Sequence, residues 1–417
     1  MIKHQLSNGL RVVLEKMPTL RSVSFGIWVG TGSRNETPEQ NGISHFIEHM
    51  LFKGTERRSA KDIADIFDGI GGNVNAFTTK ECTCYYAKVL DEHLPIAMDV
   101  LSDMFFHSQF DPAEMDKERN VILEEISMYE DTPDDLVHDL ISQAAYGSHP
   151  LGYTILGKEE NLHALTPDRL RSYMTERYSV ADTVIAIAGN YPDHILELLE
   201  QYFAAFSVPG APSPLSLPGF ISGTAFYKKK TEQNHICLSL PGCGLADEKL
   251  YAMILLNNAI GGGMSSRLFQ EIREKRGLAY SVFSYHSAHA DSGQFTIYAG
   301  TAPKQTDEVL KLTTELLSEF LHTGMTAEEL HRGKEQLKGS LILGLESSSS
   351  RMNRIGKNEL MLRKHVTIDE ILERIEEITL TDVEAVLALM FSQPFAVAMV
   401  GNSDRAIKHF RRDMFVV

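Results

Sequence analysis

Three side chains near the amino terminus combine residue types and a spacing that suit metal chemistry. His45 and His49 are four residues apart, and Glu48 immediately precedes the second histidine. In a helix over Ile43–Phe52, both imidazoles lie on one face and Glu48 lies beside them. Two imidazoles at that spacing can share one tetrahedral cation, while the carboxylate stays free to take a proton from water. The pattern H-x-x-E-H therefore predicts a metal site with an adjacent general base.

The alternative is that these are ordinary core histidines with satisfied hydrogen bonds, as we expect for most of the 16 histidines. Composition limits coincidence: even if all 56 acidic residues were glutamate, chance would give fewer than about 0.1 such patterns in the chain. The rest of the helix is apolar, so three clustered polar side chains would be costly to bury without partners. The metal interpretation is favoured, provided that another element supplies a third ligand.

That third ligand is expected on a second predicted helix, Asp111–Tyr129, which has Pro112 in its first turn. Glu118 and Glu125 are seven residues apart and project from its apolar side. This side consists of Val121, Ile122, Ile126, Met128 and Tyr129. An ionised carboxylate is rarely buried unpaired, so Glu125 as a metal ligand and Glu118 as a group that orients a ligand would explain both. In the alternative, the helix is tilted and both acids reach solvent.

The sequence around both sets of residues resembles the pitrilysin/insulinase family of zinc peptidases. The likeness is carried by HFIEHMLFKGT, beginning at His45, and by ERNVILEE, beginning at Glu118, and it extends along essentially the whole chain. In length the chain is similar to the branch that contains the mitochondrial processing peptidase β-subunit and its bacterial relatives. The resemblance implies one zinc ion held by His45, His49 and Glu125. It also implies Glu48 as general base and Glu118 as the acidic residue behind the ligands.

The same resemblance implies substrate contacts in two further places. Asn75, Ala76 and Phe77 would form a strand edge that pairs with the backbone of an extended peptide, which is β-augmentation; an ordinary hairpin arm is the alternative. Arg273 and Tyr280 match a pair that reaches substrate carbonyls in this family. From the residues alone they are a guanidinium and a phenol near a helix end, and a solvated arginine and a packed tyrosine fit nearly as well.

The chain is organised as two similar halves. A proline-rich stretch, 209–222, marks a linker, so that 1–208 form a catalytic domain and 223–417 a second domain. The order of predicted strands and helices repeats at an offset of about 211 to 215 residues, which is too long for a solenoid and suits a duplicated domain. We therefore predict an α+β fold of two duplicated domains, each with a mainly antiparallel sheet packed with helices.

The second half lacks the residues of the metal pattern. Its counterpart of the metal helix, Met253–Ile260, contains no histidine, and Ser340 falls roughly where Glu125 would be. We therefore expect one active site and one zinc ion in each chain.

Composition narrows the functional class and the environment. The formal net charge of −16 argues against general nucleic-acid binding and favours attraction of cationic partners, such as basic peptides. No apolar run reaches about 18 residues, so we expect no membrane span. The first residues lack signal-peptide and transit-peptide features, which favours a cytoplasmic protein over a processed mitochondrial-matrix protein. The four cysteines indicate buried thiols rather than a disulfide framework.

These observations together predict a zinc-dependent endopeptidase that cleaves extended, unfolded peptides. A homodimer is expected, because family members of this length pair two chains to close a chamber; which protomer supplies Arg273 and Tyr280 to a site is left open. The alternative function is a non-catalytic or activating subunit of the same fold, which binds peptides or acts as a structural core protein. The intact metal-binding pattern argues against that alternative, because such subunits usually have broken ligand sets.

Overall fold

The elements are described here from a computed structural model, which covers residues 1–208 and 215–410, so the predicted linker lies partly outside it. The strands are β1 Ile2–Gln5, β2 Arg11–Lys16, β3 Ser22–Val29, β4 Asn73–Thr78, β5 Thr83–Leu90, β6 Thr183–Gly189, β7 Thr224–Lys228, β8 Asn234–Gly242, β9 Ala279–Ala288, β10 Gly293–Thr301 and β11 Ala396–Gly401. The helices are α1 Ile43–Leu51, α2 Ala60–Gly69, α3 Leu94–His107, α4 Pro112–Asp131, α5 Pro133–Tyr146, α6 Glu159–Ala164, α7 Pro167–Arg177, α8 Ile195–Phe203, α9 Leu250–Ile260, α10 Thr306–Thr323, α11 Ala327–Gly344, α12 Ser348–Leu362, α13 Ile368–Glu377, α14 Leu380–Met390 and α15 Arg405–Lys408.

The chain divides into two compact units that do not follow the chain in simple order. Unit 1 consists of Met1–Ile126, Thr154–Leu215 and Leu343–His365, and unit 2 of Ser127–Tyr153, Ser216–Ile342 and the chain from Val366 onward. The predicted division at the proline-rich stretch places α5 in the first domain and α12 in the second. In the structure α5 belongs to unit 2 and α12 to unit 1, because a helix joins the sheet that its apolar face covers.

Unit 1 is built on one sheet with strand order β1-β2-β6-β3-β5-β4. The pair β2 and β6 is parallel, and the other neighbours are antiparallel. One face of the sheet packs in a large core that includes Phe46 and Met50 of α1. The other face packs against α12, where Trp28 and Met352 share a smaller core. Both faces are therefore covered, as the apolar run of β3 requires.

Unit 2 repeats this plan with the order β7-β11-β8-β10-β9. Here β7 and β11 form the parallel pair, and the remaining neighbours are antiparallel. The core on one face includes Leu255 of α9 and Phe320 of α10, and Val137 and Ile141 of α5 lie in the core on the other. This strand order corresponds to β2-β6-β3-β5-β4 in the sheet of unit 1. This confirms the predicted α+β fold of two similar, mainly antiparallel halves.

Two further predictions can be compared with the structure. The four cysteines are free and buried, as expected, and burial raises the pKa of each thiol. Among the described helices, none is both long enough and apolar enough to cross a bilayer.

Candidate metal centre and active site

The helix α1, which carries the H-x-x-E-H residues, is fixed at its first turn. The residue before the helix, Gly42, has φ 102°, a left-handed conformation that glycine adopts without strain. The buried carboxylate of Glu36 accepts hydrogen bonds from the backbone N–H groups of Gly42, at 2.8 Å, and Ser44, at 2.9 Å. It thereby satisfies donors that the helix leaves free, and its charge complements the helix dipole. Phe46 and Met50 then bury the apolar side of α1.

The helix α4 supplies the two carboxylates that were predicted on its buried side. Glu118 is buried and Glu125 is partly buried, so the alternative in which both acids reach solvent is wrong for Glu118. The predicted apolar side was too wide, because Val121 and Met128 are 51% and 70% exposed. The buried face is centred between Glu118 and Ile122, and the two exposed residues fall on its solvent edge.

Two imidazoles and one carboxylate converge on a single point. The Nε2 atoms of His45 and His49 are 3.2 Å apart, and Glu125 Oε2 lies 3.8 Å and 3.7 Å from them. Among the described residues, these three form the group of possible metal ligands whose ligand atoms all lie within 4.8 Å of one another. Ligand atoms around a tetrahedral zinc ion are roughly 3.4 Å apart. The three atoms therefore have the spacing of a zinc site.

Hydrogen bonding in this group points to the same conclusion. Within the described part of the chain, the buried atom Glu125 Oε2, which faces both imidazoles, has no hydrogen-bond partner. Burial, followed by the charge on His49, lowers the pKa of His45 to about 3, so its ring is neutral and can act as a ligand. A buried carboxylate oxygen facing two imidazoles lacks a positive partner. A cation at this point would supply that partner, so the donor set fits zinc.

The far side of the His49 ring is held by Glu118. Its Oε1 lies 2.8 Å from His49 Nδ1, and its Oε2 lies 2.5 Å from the Lys53 ammonium. Burial acts to raise the pKa of Glu118, but hydrogen bonds from His49 and Lys53 hold it below its usual value. With Nδ1–H donating to Glu118, the Nε2 lone pair faces the ligand cluster. Sequence reasoning missed Lys53, although its spacing of four residues from His49 was a usable signal.

Glu48 lies beside the ligand cluster and contacts β4. The hydroxyl of Thr78 donates a hydrogen bond of 2.5 Å to Glu48 Oε2. Burial raises the pKa of Glu48, and the bond from Thr78 acts against that rise. Thr78 was not among the candidate residues predicted from the sequence. Its signal was the two-residue period of the strand, which puts Thr78 on the same face as Ala76.

The predicted peptide-binding segment Asn75–Phe77 lies in β4, at the edge of the sheet of unit 1. The Phe77 ring packs against Trp28 and Tyr86, with centroid distances of 5.5 Å and 6.1 Å. That ring is therefore part of the core beneath α12. What this segment offers a peptide is its backbone edge; the substrate contact itself stays a prediction.

Arg273 and Tyr280 belong to unit 2. Arg273 lies in a π-helical segment, Phe269–Glu274, and its guanidinium is 5.3 Å from the centroid of the Tyr280 ring. Tyr280 lies in the edge strand β9 and is 77% exposed, so it is not a packed core tyrosine. Substrate binding by this pair stays a prediction.

Sequence comparisons connect this geometry with known proteins. The family model described as insulinase (peptidase family M16) matches residues 11–159, and the one described as peptidase M16 inactive domain matches residues 164–337. The chain is 52% identical over 401 residues to a Bacillus subtilis protein named uncharacterized zinc protease YmxG, covering 96% of this chain and 98% of the relative. It is 46% identical over 407 residues to the uncharacterized zinc protease SCO5738 of Streptomyces coelicolor, covering 95% and 88%.

Two solved structures share the architecture. A crystal structure described as a peptidase M16 inactive domain, from Pseudomonas fluorescens, superposes with a TM-score of 0.90 at 21% identity, covering 96% of this chain and 98% of the other. The crystal structure of a protease from Helicobacter pylori gives 0.88 at 22% identity, covering 96% and 99%. At these identities the likeness shows a common fold.

Proposed function

Because the chain belongs to the insulinase family of peptidases, family M16, we propose that it is a zinc-dependent endopeptidase that cleaves extended, unfolded peptides. The observation that carries this proposal is the convergence of His45 Nε2, His49 Nε2 and Glu125 Oε2 within 4.8 Å. The relatives named above as zinc proteases support the same chemistry.

The residues of the site have separate roles in this proposal. His45, His49 and Glu125 hold the metal, and Glu118 orients the His49 ring through Nδ1. When bound, zinc supplies Lewis acidity, which lowers the pKa of water toward about 7 and polarises a peptide carbonyl. Glu48 accepts a proton from the attacking water; a C–O bond forms at the carbonyl carbon. Glu48 then passes that proton to the amine nitrogen as the C–N bond breaks.

The substrate is proposed to be an extended peptide that adds to β4. A sheet edge offers unpaired backbone groups, and Asn75–Phe77 lie at this edge near the metal helix. An unfolded segment can pair there, whereas a folded protein has few free strands to offer. The net charge of −16 favours basic peptides. We propose Arg273 and Tyr280 as further substrate contacts, supported by the exposure of Tyr280.

Two chains are proposed to work together as a homodimer, each with one zinc ion, in the cytoplasm. The support for pairing is the resemblance in length and sequence to the processing-peptidase branch of the family. Light scattering coupled to size exclusion tests the pairing, and a mass of one chain would contradict it.

The test of the function compares wild type with Glu48→Gln and with Glu124→Gln, a control on the exposed side of α4. Zinc content is measured by mass spectrometry, and hydrolysis is followed with fluorescein-labelled casein as an unfolded substrate. We expect one zinc per chain in all three proteins and hydrolysis slower by about 10²–10⁴-fold in Glu48→Gln alone. A Glu48→Gln protein that keeps zinc and cleaves as fast as wild type would show that the base is wrongly assigned. A wild type without cleavage would favour the non-catalytic subunit.

A further inference from the structure

Within the described ranges, a threonine on the edge strand β4, Thr78, is the residue that hydrogen-bonds the proposed general base, Glu48. Resting on the proposed peptidase function, we propose that the Thr78 hydroxyl positions Glu48 for proton transfer and ties it to the strand edge that aligns the peptide. Thr78 is thus a positioning residue, because it acts on the reaction through Glu48.

The hydrogen-bond partners assign the proton of this hydroxyl. Thr78 Oγ1 lies 2.5 Å from Glu48 Oε2 and 3.3 Å from Thr83 Oγ1. Thr83 gives its own proton to the carbonyl of Thr31, at 2.9 Å. An ionised carboxylate only accepts. Thr78 is therefore the donor to Glu48, and Thr83 does not compete for that acceptor.

This hydrogen bond occupies only one of the two oxygens of the Glu48 carboxylate. Among the described residues, Thr78 is the one hydrogen-bond donor to Glu48. With Oε2 held by Thr78, the other oxygen, Oε1, is available to take the proton of the attacking water. A fixed carboxylate plane loses little rotational freedom when proton transfer begins. Thr78 thus determines which oxygen acts as the base.

The position of Thr78 in the chain links the base to the substrate. Thr78 is the last residue of β4, directly after the proposed peptide-binding segment Asn75–Phe77. A peptide that pairs with this edge has its register set by the backbone of β4. Because Thr78 belongs to the same strand, it fixes Glu48 relative to that register. A loss of the bond should therefore reduce kcat, with little change in KM or in zinc affinity.

The test uses Thr78→Val, which keeps the shape and removes the hydroxyl, and Thr78→Ser, which restores it. The probe is an internally quenched peptide derived from a casein cleavage product. We expect kcat to fall by about 10- to 100-fold in Thr78→Val, with KM and the zinc Kd within about twofold of wild type, and most of kcat to return in Thr78→Ser. The matched control is Thr183→Val in β6, which loses a buried hydroxyl bond of 2.7 Å to Ser179; its kcat should not change.

Three outcomes would overturn the proposal. An unchanged kcat in Thr78→Val is the first. The second is a kcat loss that Thr78→Ser does not recover, and the third is a loss that accompanies weaker zinc binding. Glu48→Gln is measured in parallel to separate this failure from that of the peptidase function. If Glu48→Gln is slow and Thr78→Val is normal, only the role of Thr78 fails. If Glu48→Gln is as fast as wild type, the base is wrongly assigned and the role of Thr78 fails with it, while the peptidase activity stands. If wild type is inactive, the peptidase function itself fails.

Discussion

The two units share one sheet plan, but within the described part of the chain only unit 1 carries a cluster of three possible metal ligands. In both sheets a parallel pair is followed by three antiparallel pairs. The strand order is β2-β6-β3-β5-β4 in unit 1 and β7-β11-β8-β10-β9 in unit 2. In unit 1 a short helix with two histidines faces Glu125 of α4. In unit 2 the corresponding helix, α9, is Leu250–Ile260 and contains no histidine. The fold is thus independent of the three candidate ligands, which lie on only two helices, α1 and α4.

The helices α5 and α12 each cover the second face of a sheet, and one pair of matched residues in them differs greatly in size. The starts of α5 and α12 are 215 residues apart, and so are those of α4 and α11. At that offset Gly356 of α12 corresponds to Ile141 of α5. Ile141 is fully buried in unit 2, whereas a Cβ on Gly356 would lie 2.4 Å from Trp28 Nε1. Only glycine fits at that point of α12.

The strands compensate for this difference. Tyr86 of β5 and Tyr298 of β10 occupy corresponding positions in the two sheets, opposite Gly26 and Cys237. Trp28 and Ser239 each lie two residues beyond these partners in their own strands. Unit 1 therefore places bulk on the strand and none on the helix, and unit 2 does the reverse. Cores tolerate such exchanges when the total volume is kept. The two halves therefore share an architecture but differ in how the side chains of strand and helix fill the core.

The largest effect should come from removing the third ligand. Glu125→Ala is expected to lose stoichiometric zinc and measurable hydrolysis, because two imidazoles alone do not complete a site of three protein ligands. Ser340→Ala, at the matched position of α11, is the control and should retain both. Zinc content and casein hydrolysis are the measurements. A Glu125→Ala protein that still binds one zinc tightly would remove the distinction between the two units.

A smaller effect is expected at a buried carboxylate of α12. Glu359 is buried and lies 2.8 Å from Lys3 Nζ, 3.3 Å from Arg11 Nη1 and 2.7 Å from His365 Nε2. Burial acts to raise its pKa, but hydrogen bonds from Lys3 and His365 hold it below its usual value. The matched residue of α5 is Ala144. Glu359→Ala should lower the free energy of unfolding by about 3 kcal/mol, because it leaves half-buried cations unpaired.

Urea unfolding measures this change, with Glu373→Ala on the exposed side of α13 as the control. That control should stay within about 0.5 kcal/mol of wild type. Equal midpoints for the two variants would mean that the buried pairs in unit 1 contribute no net stability.

The next largest effect on stability is expected at Gly356, which packs closely against Trp28. Gly356→Ala is expected to lower the free energy of unfolding by about 1–3 kcal/mol, since the new methyl group meets the Trp28 ring. The control is Gly339→Ala in α11, where a Cβ has open space within 4 Å; it should gain about 0.5–1 kcal/mol. Thermal unfolding by circular dichroism compares them. A shift in the same direction for both would contradict the packing difference.

The smallest expected effect is a pH dependence in unit 2. Glu329 lies 2.8 Å from Arg267 and accepts from the Thr326 N–H. Burial acts to raise its pKa, but these partners lower it to about 2. Because the folded-state pKa lies below the unfolded value of about 4.3, the stabilisation is present above that pH. It is lost as the pH falls toward about 2.

Glu329→Gln should therefore cost about 1 kcal/mol at pH 7 and nothing near pH 2. The control is Glu114→Gln, at the matched position of α4, where the partner is the exposed Lys117. Unfolding free energies measured across this pH range test the prediction. A constant difference between wild type and Glu329→Gln at every pH would contradict it.

Sequence patterns predicted what depends on local periodicity. The spacing of His45 and His49 placed both rings on one helix face, and the seven-residue spacing of Glu118 and Glu125 placed both carboxylates on one side of α4. The argument from the buried side of α4 favoured Glu125 as the third ligand, and the family resemblance implied the same residue. The repeated order of elements predicted two similar halves.

Such patterns did not predict contacts between elements that are distant in sequence. The period of β4 puts Thr78 on the same face as Ala76, but it does not show that the Thr78 hydroxyl would contact Glu48. The four-residue spacing of His49 and Lys53 likewise does not show that both would contact Glu118. The helix α12 follows elements of unit 2 in the chain, so the order of elements did not predict that it belongs to unit 1. The exposure of Met128 depends on which face of α4 is covered by other elements. The periodicity of the sequence does not determine the edges of that face to better than about one residue position around the helix.

The most direct test is a crystal of the zinc-loaded protein, with anomalous data collected on both sides of the zinc edge. We expect one peak in each chain, within about 2.3 Å of His45 Nε2, His49 Nε2 and a carboxylate oxygen of Glu125. Absence of a peak there, or a peak on other residues, would contradict the assignment of these three side chains as the metal ligands.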